Sequence, residues 1–180
     1  NSAMRSCEEE EWEKAIVLFD MLRMRQLDPD SLSYDSVMGC LRSAGKWQEA
    51  CAVLKMMPQV TLYSYNAALA ACARCGQWKS AMEIFEEMPQ ASVQVDTLSF
   101  NTAINSLERS DRWQQALDLL EMMQDTEVVA NTLTYNAALS CLKTGELWEQ
   151  ALAVLESMTT FQLSLDVITF NLAITSCANS

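Results

Sequence analysis

The chain has 180 residues, half of them hydrophobic, with no histidine and a formal net charge of −12. Without histidine there can be no Ser-His-Asp site and no H-E-x-x-H metal helix, and the four glycines fit neither a G-x-G-x-x-G nor a phosphate-loop pattern. The apolar residues are spread periodically, and no run approaches the roughly 18 consecutive apolar residues of a membrane span.

Five tryptophans set the period. Trp12, Trp47, Trp78, Trp113 and Trp148 are separated by 35, 31, 35 and 35 residues. An aromatic residue precedes each of the last four by 13 positions (Tyr34, Tyr65, Phe100, Tyr135) and is followed by Asp35, Asn66, Asn101 or Asn136; Phe170-Asn171 opens a further unit. The step from Trp47 to Tyr65 is 18 residues where the other steps are 22, so one connector is four residues short. Ala15, Ala50, Ala81, Ala116 and Ala151 stand three residues after each Trp, and Phe19, Leu54, Phe85, Leu120 and Leu155 seven after. A sustained period of this length is the signature of a repeat array.

In chain order, Asn1-Ser2-Ala3-Met4 matches Asn101-Thr102-Ala103-Ile104, so residues 1–30 are expected to be a partial repeat that begins within a first helix. Repeats follow at 31–61, 62–96, 97–131 and 132–166, and 167–180 is a second partial one, giving one array over 1–180 with no polar capping repeat visible at either end. Each repeat predicts two helices. In the repeat 132–166, Tyr135, Ala138, Leu139 and Leu142 make one stripe at i, i+3, i+4, i+7, and Trp148, Ala151, Leu152 and Leu155 a second. Gly45, Gly76 and Gly145 sit at the turn between the two, with Asp111 in the corresponding place of the repeat 97–131. Thr97 and Thr132 stand where N-caps are needed. Small alanines opposite large residues imply close helix approach, with the tryptophans packed between helices of neighbouring repeats.

Seven cysteines, an odd number, include Cys40, Cys72, Cys141 and Cys177 in first helices, the pattern of buried small apolar residues in a reducing compartment. Cys72-Ala73-Arg74-Cys75 has C-x-x-C spacing, but no second pair or histidine lies at zinc-site distance, so free thiols are expected. Carboxylate pairs such as Glu86-Glu87 recur on second helices as a solvated face. No enzyme, cofactor or metal is expected.

Aromatic-Asn, then Gly, then a helix with Ala three residues in and Met near its end, closing on Asp at a 35-residue step, resembles the pentatricopeptide repeat (PPR) family, in the tryptophan-bearing form common in algal organelle proteins. The resemblance covers essentially the whole chain, and the 31-residue unit is similar to the family's short variant. It implies an all-α, right-handed superhelical α-solenoid of stacked helix-turn-helix repeats, located in a chloroplast or mitochondrion and binding single-stranded RNA one base per repeat. The base-reading residues it implies are Asn1 with Asp30, Asp35 with Thr61, Asn66 with Asp96, Asn101 with Asn131, and Asn136 with Asp166, while Asn171 has no closing partner. Asn offers a donor and an acceptor to a base edge; it is also an ordinary local helix cap.

Arg42, Arg74, Arg109 and Lys143 stand near the ends of successive first helices, where the resemblance implies phosphate contacts; compensation of helix C-termini accounts for them equally well. A net charge of −12 repels a polyanion. The acids collect mostly on second helices, however, so a first-helix groove can be mildly positive over an acidic back. A protein-binding scaffold, an acidic subunit of a larger organellar assembly, is the second function class that the sequence allows.

Overall fold

The computed structural model describes residues 2–178 apart from 26, 28, 111, 127, 145 and 146, with the backbone alone described at 2–11, 144 and 178. Two compact units, 1–95 and 96–180, divide it, the boundary falling just before the closing residue of the repeat 62–96. Every element among the described residues is helical.

The first unit contains α1 (Ser2–Met24), α2 (Ser31–Ala44), α3 (Trp47–Met56), α4 (Leu62–Arg74) and α5 (Trp78–Gln90). Helix α2 packs on α1, α3 and α4, and α4 packs in turn on α3 and α5. The second unit contains α6 (Thr97–Leu107), α7 (Trp113–Asp125), α8 (Thr132–Cys141), α9 (Trp148–Thr160) and α10 (Val167–Ala178), with a 3-10 turn at Leu142–Thr144. There α8 is the hub, packed on α6, α7, α9 and α10. The expected two-helix repeat is present, and Trp47, Trp78, Trp113 and Trp148 each open a second helix. Residues 1–30 differ: α1 runs unbroken to Met24 because the glutamate run before Trp12 offers neither a glycine nor a proline to stop it.

The core forms where small and large residues alternate. Ala50, Ala81, Ala116 and Ala151 have no exposed surface, so each second helix comes close to its neighbours at these points. Six, seven and ten residues after the tryptophan the stripe continues, as Ile84, Phe85 and Met88 in α5 and Leu119, Leu120 and Met123 in α7. In α9 it is Ala151, Val154 and Met158, while Leu152 is 44% exposed and Leu155 half-buried, so the buried stripe lies three positions further along the helix than expected. The tryptophans lie at its edge. Trp12, Trp47, Trp78 and Trp113 are half-buried, and of the tryptophans expected between helices it is Trp148, 42% exposed, that departs from the expectation. The first-helix stripe is as expected, with Tyr135, Ala138, Leu139 and Leu142 all buried.

Gly45 and Gly76 end their first helices at φ 68° and 66°, the left-handed conformation anticipated at these turns; Gly145 and Asp111 lie outside the described residues. Second helices end differently. Ser92 and Gln162 take φ 60° and 55°, and the next amides, of Val93 and Leu163, donate to the carbonyls of Met88 and Met158 at 2.9 Å. These are Schellman-type ends without glycine. The expected N-caps Thr97 and Thr132 are the first residues inside their helices; the caps are Asp96 and Asn131, one position earlier.

Cys72 and Cys141 are buried as expected, whereas Cys40 is half-buried and Cys177 exposed. Cys177 faces outward because its turn of α10 buries Ser176 instead. Cys75 is the C-cap residue of α4 and donates its thiol to the Gly45 carbonyl at 2.9 Å. The Cys72 sulfur lies 4.0 Å from that of Cys51 on α3.

The closeness of helices at the alanines has a measurable consequence. Ala81→Leu forces three extra carbons into a site with no exposed surface and should cost about 1–3 kcal/mol. Trp148→Ala, at the exposed edge, should cost less than Ala81→Leu in the same chemical-denaturation experiment.

Candidate nucleic-acid interface

The closing residues are N-caps. Asp30, Thr61, Asp96 and Asn131 precede α2, α4, α6 and α8 in extended conformation, and each side-chain oxygen accepts the amide proton of the residue three positions on, at 2.8–3.1 Å. Thr61, Asp96 and Asn131 complete capping boxes with Ser64, Ser99 and Thr134. Asp166 accepts from the Thr169 amide and lies within 2.8 Å of its hydroxyl oxygen. Local capping is therefore real at all five closing positions.

Capping does not exclude a second role at the last of these. The Thr169 hydroxyl oxygen is also 2.8 Å from the Asn136 side-chain oxygen position, and the Asn136 side chain interacts with the Asp166 carboxylate. One hydroxyl carries one proton, and the carboxylate is its stronger acceptor. Thr169 shares its proton between Asp166 and the Asn136 Oδ1, and the Asn136 N–H faces the Asp166 carboxylate. Asp166 and Thr169 thereby hold the Asn136 amide in one orientation. The Thr169 amide, followed by its hydroxyl, holds the Asp166 carboxyl below the usual carboxylate range; Asp30 is lowered likewise by the Ser33 hydroxyl and amide.

The other expected base-reading residues divide. Asp35 and Asn101 each have a buried side-chain Oδ1 with no partner among the described residues, while Asn66 is engaged. Asn171 is exposed, and Asn1 lies outside the described residues. Tyr34, Tyr65, Phe100 and Tyr135, the aromatics before these polar residues, are buried in the core and anchor the helix starts; Phe170 is 48% exposed.

A groove of about 400 Å³ in the second unit is lined by Asn101 and Asn136 and by the exposed apolar side chains Leu98, Leu133 and Ile168. These apolar residues were missed in the sequence although a signal was present: two positions before the aromatic there is always a large apolar residue, namely Leu32, Tyr63, Leu98, Leu133 or Ile168. Large side chains left exposed in register beside polar amides form a surface suited to flat, hydrogen-bonding rings.

The expected phosphate contacts hold a mixed set of partners. The Arg74 guanidinium donates to the Arg42 carbonyl at the end of α2 at 3.2 Å, a helix C-terminal contact. The Arg42 guanidinium lies 5.9 Å from the centre of the Tyr63 ring. Arg109 is exposed. Lys143 pairs with Glu108 at 3.1 Å, and Ser140 donates to the same carboxylate at 2.6 Å. The Ser140 hydroxyl, followed by Lys143, lowers the Glu108 pKa. Glu108 was not foreseen and offsets part of the Lys143 charge.

Within the first helices acid is scarce, although Asp30, Asp96, Asp166 and Glu108 lie just beyond their ends. Among α2, α4, α6, α8 and α10 the only acidic residue is Asp35, whereas α3, α5, α7 and α9 carry Glu49, Glu83, Glu86, Glu87, Asp118, Glu121, Asp125, Glu149 and Glu156.

Residues 65–180 match the family profile described as pentatricopeptide repeat-containing protein, and residues 32–60 match the PPR repeat itself. The chain belongs to the pentatricopeptide repeat family. No curated protein matches this PPR chain. Among solved structures, maize PPR10 in complex with an 18-nt psaJ RNA element is 22% identical with a TM-score of 0.77, over 96% of this chain and 26% of PPR10. A second structure, of PPR10 from maize, is 24% identical with a TM-score of 0.66, over 91% of this chain and 24% of PPR10. The PPR domain of Arabidopsis thaliana protein-only RNase P 1, in complex with tRNA, is 14% identical with a TM-score of 0.78, over 99% of this chain and 96% of that domain. The chain thus has the helical PPR solenoid fold and spans about a quarter of PPR10.

The capping role is testable separately from any ligand. Asn131→Ala should destabilise the second unit by about 0.5–2 kcal/mol in urea unfolding, and Asn131→Asp by much less. Asp30 and Asp166 have lowered folded pKa values, so their stabilisation is complete above the unfolded carboxyl value of about 3.9. It should disappear as the pH falls through the lower folded values, and an Asp166→Asn variant followed by circular dichroism should show a shallower acid transition.

Proposed function

We propose that this PPR chain is a modular single-stranded RNA-binding segment that acts in an organelle, chloroplast or mitochondrion, positioning or protecting a transcript. The observation that supports this best is the Asn136–Thr169–Asp166 group, in which a cap residue orients a polar amide beside exposed apolar side chains. The second lone pair of the Asn136 carbonyl can accept the N3–H of uracil, whereas N3 of cytosine has no proton to give. A closing Asn such as Asn131 leaves the preceding amide freer to turn its N–H outward.

On this reading the pairs Asn1–Asp30, Asn66–Asp96 and Asn136–Asp166 favour uracil, Asn101–Asn131 favours cytosine, and Asp35–Thr61 a purine. Taken in chain order from the RNA 5′ end, the preferred segment is U, purine, U, C, U. Arg42, Arg74, Arg109 and Lys143 supply the phosphate contacts, two of them while also serving neighbouring groups. The net charge of −12 is reconciled with a polyanion by its placement, since nearly all the helical acid lies outside the first helices. No catalytic role is assigned. The acidic second helices support the alternative, a protein-binding scaffold within a larger organellar complex.

Titration of a labelled RNA carrying this segment at two salt concentrations separates the readings. Binding should weaken with salt, and Arg74→Ala with Arg109→Ala should weaken all sequences alike and flatten the salt slope. Asn131→Asp should move the third full repeat's preference from cytosine towards uracil by about 1–3 kcal/mol. The absence of any salt-dependent affinity would replace the RNA reading by the scaffold.

A further inference from the structure

Asp35 is the one first-helix position at which a carboxylate stands where the other repeats place an amide. Its surroundings are also unlike theirs. A cavity of about 380 Å³ is lined by Asp35, Gly39, Arg42 and Tyr63, all within the first unit. Tyr63 occupies the place that is aliphatic in the other repeats (Leu32, Leu98, Leu133, Ile168) and is 43% exposed. Its hydroxyl crosses α2 at Gly39, where an added Cβ would come within 2.9 Å of it. The ring has a place on α2 because residue 39 has no side chain. The Arg42 guanidinium, 5.9 Å from the ring centre, lies beside the same aromatic surface.

The carboxylate Oδ1 has no donor among the described residues. Asn136 has the Thr169 hydroxyl beside it, but Ser64, the residue in the matching place for Asp35, donates to the Thr61 carbonyl at 2.8 Å. Asp35 Oδ1 is buried and unpartnered. Asn101 shares that condition, yet an amide can turn to present N–H, whereas an ionised carboxylate only accepts. Leaving it so costs free energy that a ligand with N–H donors recovers, and the soft terminal torsion of Asp lets either oxygen swing to meet them.

We propose that the repeat 31–61 is a guanine-selective slot, with Asp35 accepting from N1–H and N2–H, Arg42 donating to the O6/N7 edge in place of the phosphate contact assigned to it above, and Tyr63 stacking against the ring. This rests on the RNA-binding reading and narrows its purine to one base. Guanine alone among the four bases has two adjacent donors on its Watson–Crick edge, matching the two oxygens of a carboxylate. Adenine and cytosine each set a ring-nitrogen lone pair beside their amino group, and uracil flanks its one N–H with two carbonyls, so each brings an acceptor against the carboxylate. Arg42 lies seven residues beyond Asp35, about 10 Å along the same helix face, a span that a purine and an arginine side chain together cover. Arg to O6/N7 is the usual bidentate guanine contact.

The test uses four labelled RNAs that differ only in the second base of the five-base segment, bound to the full 180-residue chain at one salt concentration. Wild type should prefer guanine by about tenfold or more over each other base. Asp35→Asn should abolish that preference and bring uracil level with guanine or ahead of it. Arg42→Lys should reduce the guanine-over-adenine ratio while leaving the salt slope unchanged, because the charge stays and the fork is lost. Tyr63→Phe should retain the preference, and Tyr63→Ala should weaken binding of all four. Circular dichroism of each variant separates loss of fold from loss of contact. If the four RNAs bind equally to wild type, or Asp35→Asn keeps the guanine preference, the slot proposal is overturned while RNA binding stands. If none of the four binds, both fall.

Discussion

Each repeat depends on a hydrogen bond between the residue that ends it and the amide three positions into the helix that follows. That bond starts the next first helix, and it places a polar side chain beside the preceding first helix without further support. The cost of holding that side chain in one rotamer is met by helix capping, an interaction the chain needs in any case. At Asp166 the arrangement is complete: the same carboxylate terminates a repeat, caps α10 and reaches Asn136. On the proposed RNA-binding reading, structure and recognition draw on the same atoms, so neither reading of these residues displaces the other.

The hydrophobic framework is equally economical. Alanines with no exposed surface bring the helices together, and one large residue from each neighbour fills the space between them. A buried aromatic then fixes the start of the first helix, as Tyr34 does by meeting Phe19 edge-on at 5.0 Å. With the aromatic sunk into the core, the next residue along is left half-buried at the rim of the groove. The polar side chain that follows every aromatic is thus positioned by a contact in which it takes no part.

Much of this was legible in the sequence because period and spacing are properties of the chain alone. The helix pairs, the turns at Gly45 and Gly76 and the buried face of α8 follow from counting residues, and the pairing of Asn136 with Asp166 follows from the family resemblance. What failed was whatever depended on neighbours. Trp148 recurs in perfect register, yet its indole lies at the edge of the stripe that Ala151 and Met158 define, and a helical wheel does not fix where an edge falls. Thr97 and Thr132 are good caps by composition, but Asp96 and Asn131 precede them and are as good. Cys177 shares its place with buried cysteines while its turn of α10 buries a serine. The Glu108 bond to Lys143 joins residues 35 apart, and nothing local announces it. The exposed apolar residues two positions before each aromatic were visible as a column but passed over, since exposure leaves no mark on a residue's type.

Gly39 and Tyr63 illustrate how a site can constrain the order in which its residues change. With tyrosine present, any side chain at 39 must push the phenol hydroxyl off α2; with a shorter residue at 63, alanine at 39 is the better helix former. The sign of Gly39→Ala therefore depends on what occupies 63, and the two positions are coupled rather than additive. A repeat of this kind cannot gain its aromatic wall and a bulkier helix floor independently, so redesign of the 31–61 unit has to treat the two residues as a single unit of variation.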